Sequence, residues 1–288
     1  MAELLYGKPA ADALTAETRR RADLLRDKGV MPKLVILRCG ENEADGAYIR
    51  GAMKRGRLSG VDVELRTLAE NVSADELARA LEAVNSDNGI HGCLLLRPLP
   101  GHLKAMESKL CALLDPKKDV DGMTPVSAAG VFTGSGQGFP PCTAQACMAL
   151  LDYYHIDCAG KSAAVVGRSA VVGRPAAMLL LARNATVTVC HTGTKDVAAV
   201  TREADIIITA TGAAGSLTAA HVRPGQVVVD VSTNWNGVSL CGDAVFDDVS
   251  QIVEAITPVP GGVGAVTSAV LMAHTVRAAE YLTGEGGL

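Results

Sequence analysis

The stretch Tyr48-Ile-Arg-Gly-Ala-Met-Lys-Arg sets a tyrosine and a lysine close enough to suggest a catalytic pair. Helical geometry separates them: Lys54 comes six positions after Tyr48, which is about 120° around a helix of 3.6 residues per turn. The residue that shares Tyr48's face, four positions on, is Ala52. An aromatic hydroxyl is present, and a methyl group stands where a charged partner would be.

A second stretch, AAVVGRSAVVGRPAAMLLL (163–181), carries the pattern of a phosphate-binding turn. An apolar strand ends at Gly167, which permits a sharp turn, and a helix is expected to begin near Val171. Ser169 can cap that helix, whose free N–H groups attract phosphate. Gly173 allows helix and sheet to approach closely, and Pro175 suits a first helical turn. The spacing is not G-x-G-x-x-G, so an ordinary strand-to-helix turn is the alternative. The next strand ends Cys190-His191-Thr192, with no carboxylate to hold the ribose hydroxyls of NAD. Arg168, in the turn, can meet a 2′-phosphate. Together these favour NADP, with NAD possible. Arg168 as a solvated loop arginine and His191 as a polar loop residue are the plain alternatives. The cofactor-binding expectation covers Gly167, Arg168, Ser169, Val172, Gly173, His191, Thr192 and Thr233.

These residues need elements to position them. A long amphipathic helix is expected from about Pro9 to Lys28, closed by Gly29. Strands follow at 33–40, at VDVELRTL and at IHGCLLL (90–96), alternating with a glycine-interrupted helix over 43–58 and a helix opened by the Ser73/Glu76 capping box. Such alternation implies a mostly parallel sheet with helices on both faces. Between 115 and 143 the chain turns irregular, with DPKKDVDGMTP and TGSGQGFPPCT. The domain change is placed just after them, in a helix starting near Thr143. Four more strands lie at 162–167, 185–190, 205–210 and 226–231. Asn236-Gly237 then suggests a hairpin, ITPVPGGVG (256–264) is a loop, and a final helix covers about 266–281.

Composition narrows the function classes. The chain of 288 residues is long enough for two domains, and its 48% hydrophobic and 20% charged residues are ordinary for a globular protein. With only 3% aromatics, Ala, Val and Leu must fill the cores. A net charge of −4 argues against nucleic acid or an anionic membrane as partner. No apolar run is long enough for a membrane span, and the N-terminus lacks the pattern of a signal peptide. The eight cysteines show no C-x-x-C or other metal-ligand spacing, so no metal is expected; they read as small buried thiols in a reducing cytosol.

The motifs KKDVDGMTP, PPCTAQA, VVGRSAVVGRP, VVVDV, GDAVFDDV and TPVPGGVGAVT occur in that order. In this the chain closely resembles the methylenetetrahydrofolate dehydrogenase/cyclohydrolase (FolD-type) family, over nearly its whole length. The resemblance implies two α/β domains around a cleft, with folate mainly on 1–143 (plus a C-terminal helix, about 268–288). A Rossmann-like NAD(P)-binding domain would span 144–267. It also implies a cytoplasmic homodimer that oxidises 5,10-methylenetetrahydrofolate with NADP, in many members followed by hydrolysis of the methenyl product. Tyr48 matches the tyrosine that stacks on the folate ring. Asp121 matches the carboxylate that holds the pterin, and Pro260, Gly261 and Gly262 fall in the loop that flanks the cleft. Tyr48 and Asp121 are the catalytic candidates; Arg97 joins them as a substrate-binding candidate.

Two departures bear on the second step. The family's usual lysine, four residues after the tyrosine, is Ala52, and its usual glutamine is Leu96, followed by Arg97. Losing a positioned acid–base group costs about 10²–10⁴-fold in rate, whereas hydride transfer needs chiefly alignment of the two reactants. The expectation is a dehydrogenase with weak or absent cyclohydrolase activity. A fully bifunctional enzyme and a non-catalytic folate or nucleotide binder are the alternatives. Milder departures are Ala144, Ala265, Ser232 and Thr233. The basic run Arg50, Lys54, Arg55 and Arg57 reads as a solvated helix face or as an attractor of folate carboxylates.

Overall fold

The structure, a computed structural model, describes residues 1–285. The first half contains β1 (Glu3–Leu4), α1 (Gly7–Asp27), β2 (Lys33–Cys39), α2 (Glu43–Ser59), β3 (Asp62–Leu68), α3 (Ala74–Ser86) and β4 (Gly92–Leu95). Helical segments α4 (Glu107–Cys111), α5 (Pro125–Thr133) and α6 (Cys142–Tyr153) follow. The second half contains β5 (Ser162–Val166), α7 (Gly173–Ala182), β6 (Thr186–Cys190), α8 (Val197–Glu203), β7 (Ile206–Thr209) and β8 (Val227–Asp230). Then come β9 (Asn234–Trp235), β10 (Leu240–Cys241), α9 (Phe246–Val249), β11 (Ala255–Ile256) and α10 (Gly264–Leu282).

Two compact units result: Asp12–Cys142 with Ser268–Leu288, and Met1–Ala11 with Thr143–Thr267. Residues 286–288 of the expected C-terminal segment lie outside the described residues. The first unit holds a parallel sheet in the order β3-β2-β4. Its central strand buries four consecutive residues, Leu34 to Leu37, as a strand covered on both faces must. The Ser73/Glu76 capping box forms: the Ser73 hydroxyl accepts from the Glu76 N–H at 3.3 Å, and the Glu76 carboxylate accepts from the Ser73 N–H at 2.8 Å. Leu77, Leu81 and Val84 then place one face of α3 in a core with Val35, Leu37 and Leu95. Truncating one of these leucines to alanine costs about 2–5 kcal/mol. The carboxyl ends of β2 and β4 share one edge, and the residues that follow them, including Leu96 and Arg97, are presented there.

The second unit has a six-stranded parallel sheet, β1-β11-β8-β7-β5-β6. The chain leaves β5 for β6 on one side and returns to β7 on the other, which makes the carboxyl end of β5 a switch point, the place where open α/β sheets bind ligands. Residues 1–11 depart from the sequence expectation, which put them in the first domain. Glu3 and Leu4 pair with Ala255 and Ile256 instead. Gly7 continues the contact: its N–H donates to the Gly261 carbonyl at 2.7 Å, and a Cβ on it would sit 2.0 Å from the Gly262 oxygen. The expected hairpin forms between β9 and β10, with Asn236 Oδ1 accepting from the Val238 and Ser239 N–H groups and Gly237 at φ +95°. All eight cysteines are free thiols; Cys39 and Cys241 are half-buried and the others buried.

Candidate functional site

In the three-stranded unit the loop KKDVDGMT is built by its own charges. Lys118, 3% exposed, donates to the carbonyls of Val84, Asn85 and Asp87 at 2.7–2.9 Å. Asp119, fully buried, accepts from the Met123 and Thr124 N–H groups and from the Ser127 hydroxyl at 2.6–2.9 Å. Thr124 caps α5 by accepting from the Ser127 N–H at 3.1 Å. Gly122 takes φ +65°, and a Cβ there would lie 2.5 Å from the Phe139 carbonyl oxygen. The neighbouring charges are thus committed to the fold, and Asp121 keeps a partly exposed edge.

Burial pushes the Asp121 carboxyl up to about 6, against the opposing pull of Arg97 and of the neighbouring Cys142; Asp119 adds repulsion. Tyr48, half-buried on α2, has its phenol pushed well above the ordinary range by burial and by the neighbouring Cys142 and Asp121. It therefore stays protonated, an aromatic face with one neutral O–H. Asp121 thus interacts electrostatically with both Tyr48 and Arg97, two further sequence candidates. Ala52 is fully buried and Lys54 is exposed, so Lys54 is not on Tyr48's face. Leu96 lines a cavity of about 570 Å³ with Cys39, Glu70, Pro98 and His102.

The six-stranded unit carries the other candidates. Gly167 turns at φ +123°, and a Cβ on it would meet the Ala210 oxygen at 2.3 Å. A Cβ on Gly173 would lie 2.2 Å from the Gly167 oxygen, so the close approach expected there is real. α7 begins at Gly173, later than the expected Val171, with Val172 in the N-cap position and Pro175 in the first turn. The Ser169 hydroxyl accepts from the Val172 and Gly173 N–H groups at 3.1 and 3.3 Å, and this closes the turn ahead of the helix. Among the described residues, the N–H groups of Arg168, Ser169, Ala170 and Val171 have no protein acceptor, and exposed Arg168 has no ion-pair partner. Open donors and a free cation around a glycine cradle suit a phosphorylated cofactor.

His191 accepts from the Gly193 N–H at 3.0 Å through Nδ1 and so holds its own turn; Thr192 and Thr233 are exposed. Pro260 is exposed, but a Cβ on Gly262 would lie 2.6 Å from the Pro258 oxygen. Its missing side chain is therefore needed for backbone packing within its own loop. Ala144 is buried and Ala265 half-buried.

Sequence reading missed Asp243. Its carboxylate accepts from the Thr209 hydroxyl, the Thr211 and Ala213 N–H groups, the Ser232 hydroxyl and the Asn234 amide, all within 3.0 Å. Burial alone would raise its pKa; the hydrogen bonds, led by Thr211, win and hold it below the ordinary value. It ties together the loops after β7 and β8, at the sheet edge where the candidate cofactor residues lie. Its motif, GDAVFDDV, was visible in the sequence, but nothing in the motif marks which aspartate collects the donors.

A sheet with its switch point above a glycine turn, together with a second α/β unit carrying a tyrosine–carboxylate pair, defines a two-unit α/β protein with a Rossmann-like dinucleotide-binding unit. Residues 5–121 match the tetrahydrofolate dehydrogenase/cyclohydrolase catalytic domain, and residues 141–283 match that family's NAD(P)-binding domain. The chain is 47% identical over 287 residues to the bifunctional protein FolD of Carboxydothermus hydrogenoformans, covering 99% of each. Among solved structures it is similar to the bifunctional FolD of Campylobacter jejuni (TM-score 0.93, 37% identity, 97% of this chain and 99% of that one). It is also similar to the Trypanosoma brucei FolD complexed with NADP cofactor and inhibitor (TM-score 0.89, 32% identity, 97% of each chain). The chain belongs to the tetrahydrofolate dehydrogenase/cyclohydrolase family.

Proposed function

We propose that this chain oxidises 5,10-methylenetetrahydrofolate, with the pterin held by Asp121, the folate ring stacked on Tyr48, and Arg97 supplying positive charge beside them. The observation that carries this reading is the electrostatic interaction of Asp121 with Tyr48 and Arg97, in a loop where Lys118 and Asp119 are consumed by the fold. An ionised carboxylate there accepts paired hydrogen bonds from a pterin N–H and amino group. NADP, when bound, supplies the hydride acceptor. Arg168 and the open N–H groups of 168–171 hold its phosphates, and Asp243 fixes the loops beside them. These residues give each reactant its own binding groups, and hydride transfer asks a protein chiefly to position its reactants.

For the second step, the relatives' names support a bifunctional enzyme better than the narrower expectation drawn from Ala52 and Leu96. Water adding to the methenyl carbon, with cleavage of one C–N bond and loss of a proton, would give the 10-formyl product. One observation favours the narrower reading: Ala52 is fully buried on Tyr48's face and Lys54 is exposed, so neither puts an amine beside Tyr48. A homodimer and a cytoplasmic location belong to the same proposal; among the described residues no helix is long and apolar enough to cross a membrane.

Mixing the protein with methylenetetrahydrofolate and NADP+ and following reduced cofactor by absorbance tests the main reading. Turnover that depends on both substrates is expected; folate binding without reduction would leave a non-catalytic binder. Supplying the methenyl compound alone then separates the two second-step readings, since rapid hydrolysis over the buffer rate establishes the bifunctional one.

A further inference from the structure

Two buried side chains from separate helices converge on one carbonyl. The His274 ring on α10 donates from Nδ1 to the Val120 oxygen at 2.9 Å. The Cys142 thiol, on the first residue of α6, donates to the same oxygen at 3.2 Å. Sγ and Nδ1 lie 3.8 Å apart, and the imidazole packs on Phe139 with ring centroids 5.0 Å apart. Cys142 is 1% and His274 6% exposed. The carbonyl they hold belongs to the peptide plane that leads directly into Asp121. A carbonyl oxygen has two lone-pair directions, and here both are engaged. Gly122, on the other side of Asp121, is wedged against the Phe139 carbonyl.

We infer that Cys142 and His274 are positioning residues that fix the Val120–Asp121 peptide and thereby aim the Asp121 carboxylate at the folate. The inference rests on the reading of Asp121 as the pterin-holding group. Neither side chain touches the substrate in this scheme. Burial pushes the His274 imidazole down to about 4, so it is neutral at working pH, and its Nδ1–H is fixed by the carbonyl it serves. Burial likewise raises the Cys142 thiol well above its ordinary value, so it remains a donor and no thiolate competes with Asp121.

The test uses the full-length protein with Cys142→Ala, Cys142→Ser, His274→Leu, His274→Asn, Asp121→Asn and the Cys142→Ala/Asp121→Asn pair. Serine keeps a donor to the carbonyl, and asparagine places an N–H near the position of Nδ1. The expected result is a rise of about tenfold in the methylenetetrahydrofolate KM for Cys142→Ala and His274→Leu, the size of losing one aligned hydrogen bond. The NADP KM should stay unchanged, and the serine and asparagine variants should recover most of the loss. The pair should be no worse than Asp121→Asn alone, because residues acting through one group are not additive. Additive losses in the pair, or equal defects in the alanine and serine variants, would overturn the inference. If Asp121→Asn itself leaves the folate KM unchanged, the underlying reading of Asp121 fails. If Asp121→Asn weakens folate and Cys142→Ala does not, only the positioning claim fails.

Discussion

Lowering the pH should switch off folate recognition through Asp121, and its environment sets where. A carboxyl pushed up to about 6 is about nine-tenths ionised at pH 7 and about one-tenth ionised at pH 5. The proposed pterin contact needs the ionised form, because a neutral carboxyl accepts fewer hydrogen bonds and adds a donor of its own. At subsaturating methylenetetrahydrofolate and saturating NADP+, kcat/KM should therefore fall about tenfold between roughly pH 7 and pH 5. Burial raises the Asp121 pKa most, Arg97 and the neighbouring Cys142 lower it and Asp119 raises it, while Tyr48 and Cys142 themselves stay neutral. Removing the cation with Arg97→Leu should move the acidic limb to higher pH, by up to about one unit, and weaken folate binding. The NADP KM should follow neither change. Initial rates of reduced-cofactor formation across the range, with folate and NADP varied separately, make the measurement. A flat profile for the native protein, or an Arg97→Leu limb displaced to lower pH, would refute the reasoning.

The same residue predicts a trade-off between function and stability. Asp121 binds its proton more tightly folded than unfolded, so the native state loses stability as pH rises from about 4 to 6 and regains none above. Asp121→Asn should thus raise the melting temperature at neutral pH, by on the order of 2 kcal/mol of stability, and change little near pH 4, as calorimetry at the two values would show. Arg168→Ala should raise the NADP KM about tenfold or more while the NAD KM stays put, if the guanidinium meets a 2′-phosphate; equal effects on both would place it elsewhere. Installing Ala52→Lys with Leu96→Gln should accelerate hydrolysis of the methenyl compound by about 10²-fold over the parent protein. No change, with folding intact by circular dichroism, would show that position 52 does not address the reacting carbon.

Much of this protein is local and could be read along the chain. Four consecutive apolar residues make β2 a buried strand. Ser73 and Glu76 start α3 by bonds that span only three positions. The glycines at 167 and 173 mark a turn that only missing side chains permit. The absence of a lysine at 52 and of a glutamine at 96 is a fact of sequence alone. Tertiary structure decided what depends on contacts between distant segments. Only the fold shows that β1 joins β11, that Lys118 and Asp119 are spent on the loop while Asp121 is not, and that Arg97 acts on Asp121. Only the fold gathers five donors on Asp243 and brings His274 to a carbonyl 154 positions away. The reason is physical: local propensity depends on residues a turn or two apart, whereas burial and charge depend on whichever segments the folded chain packs together.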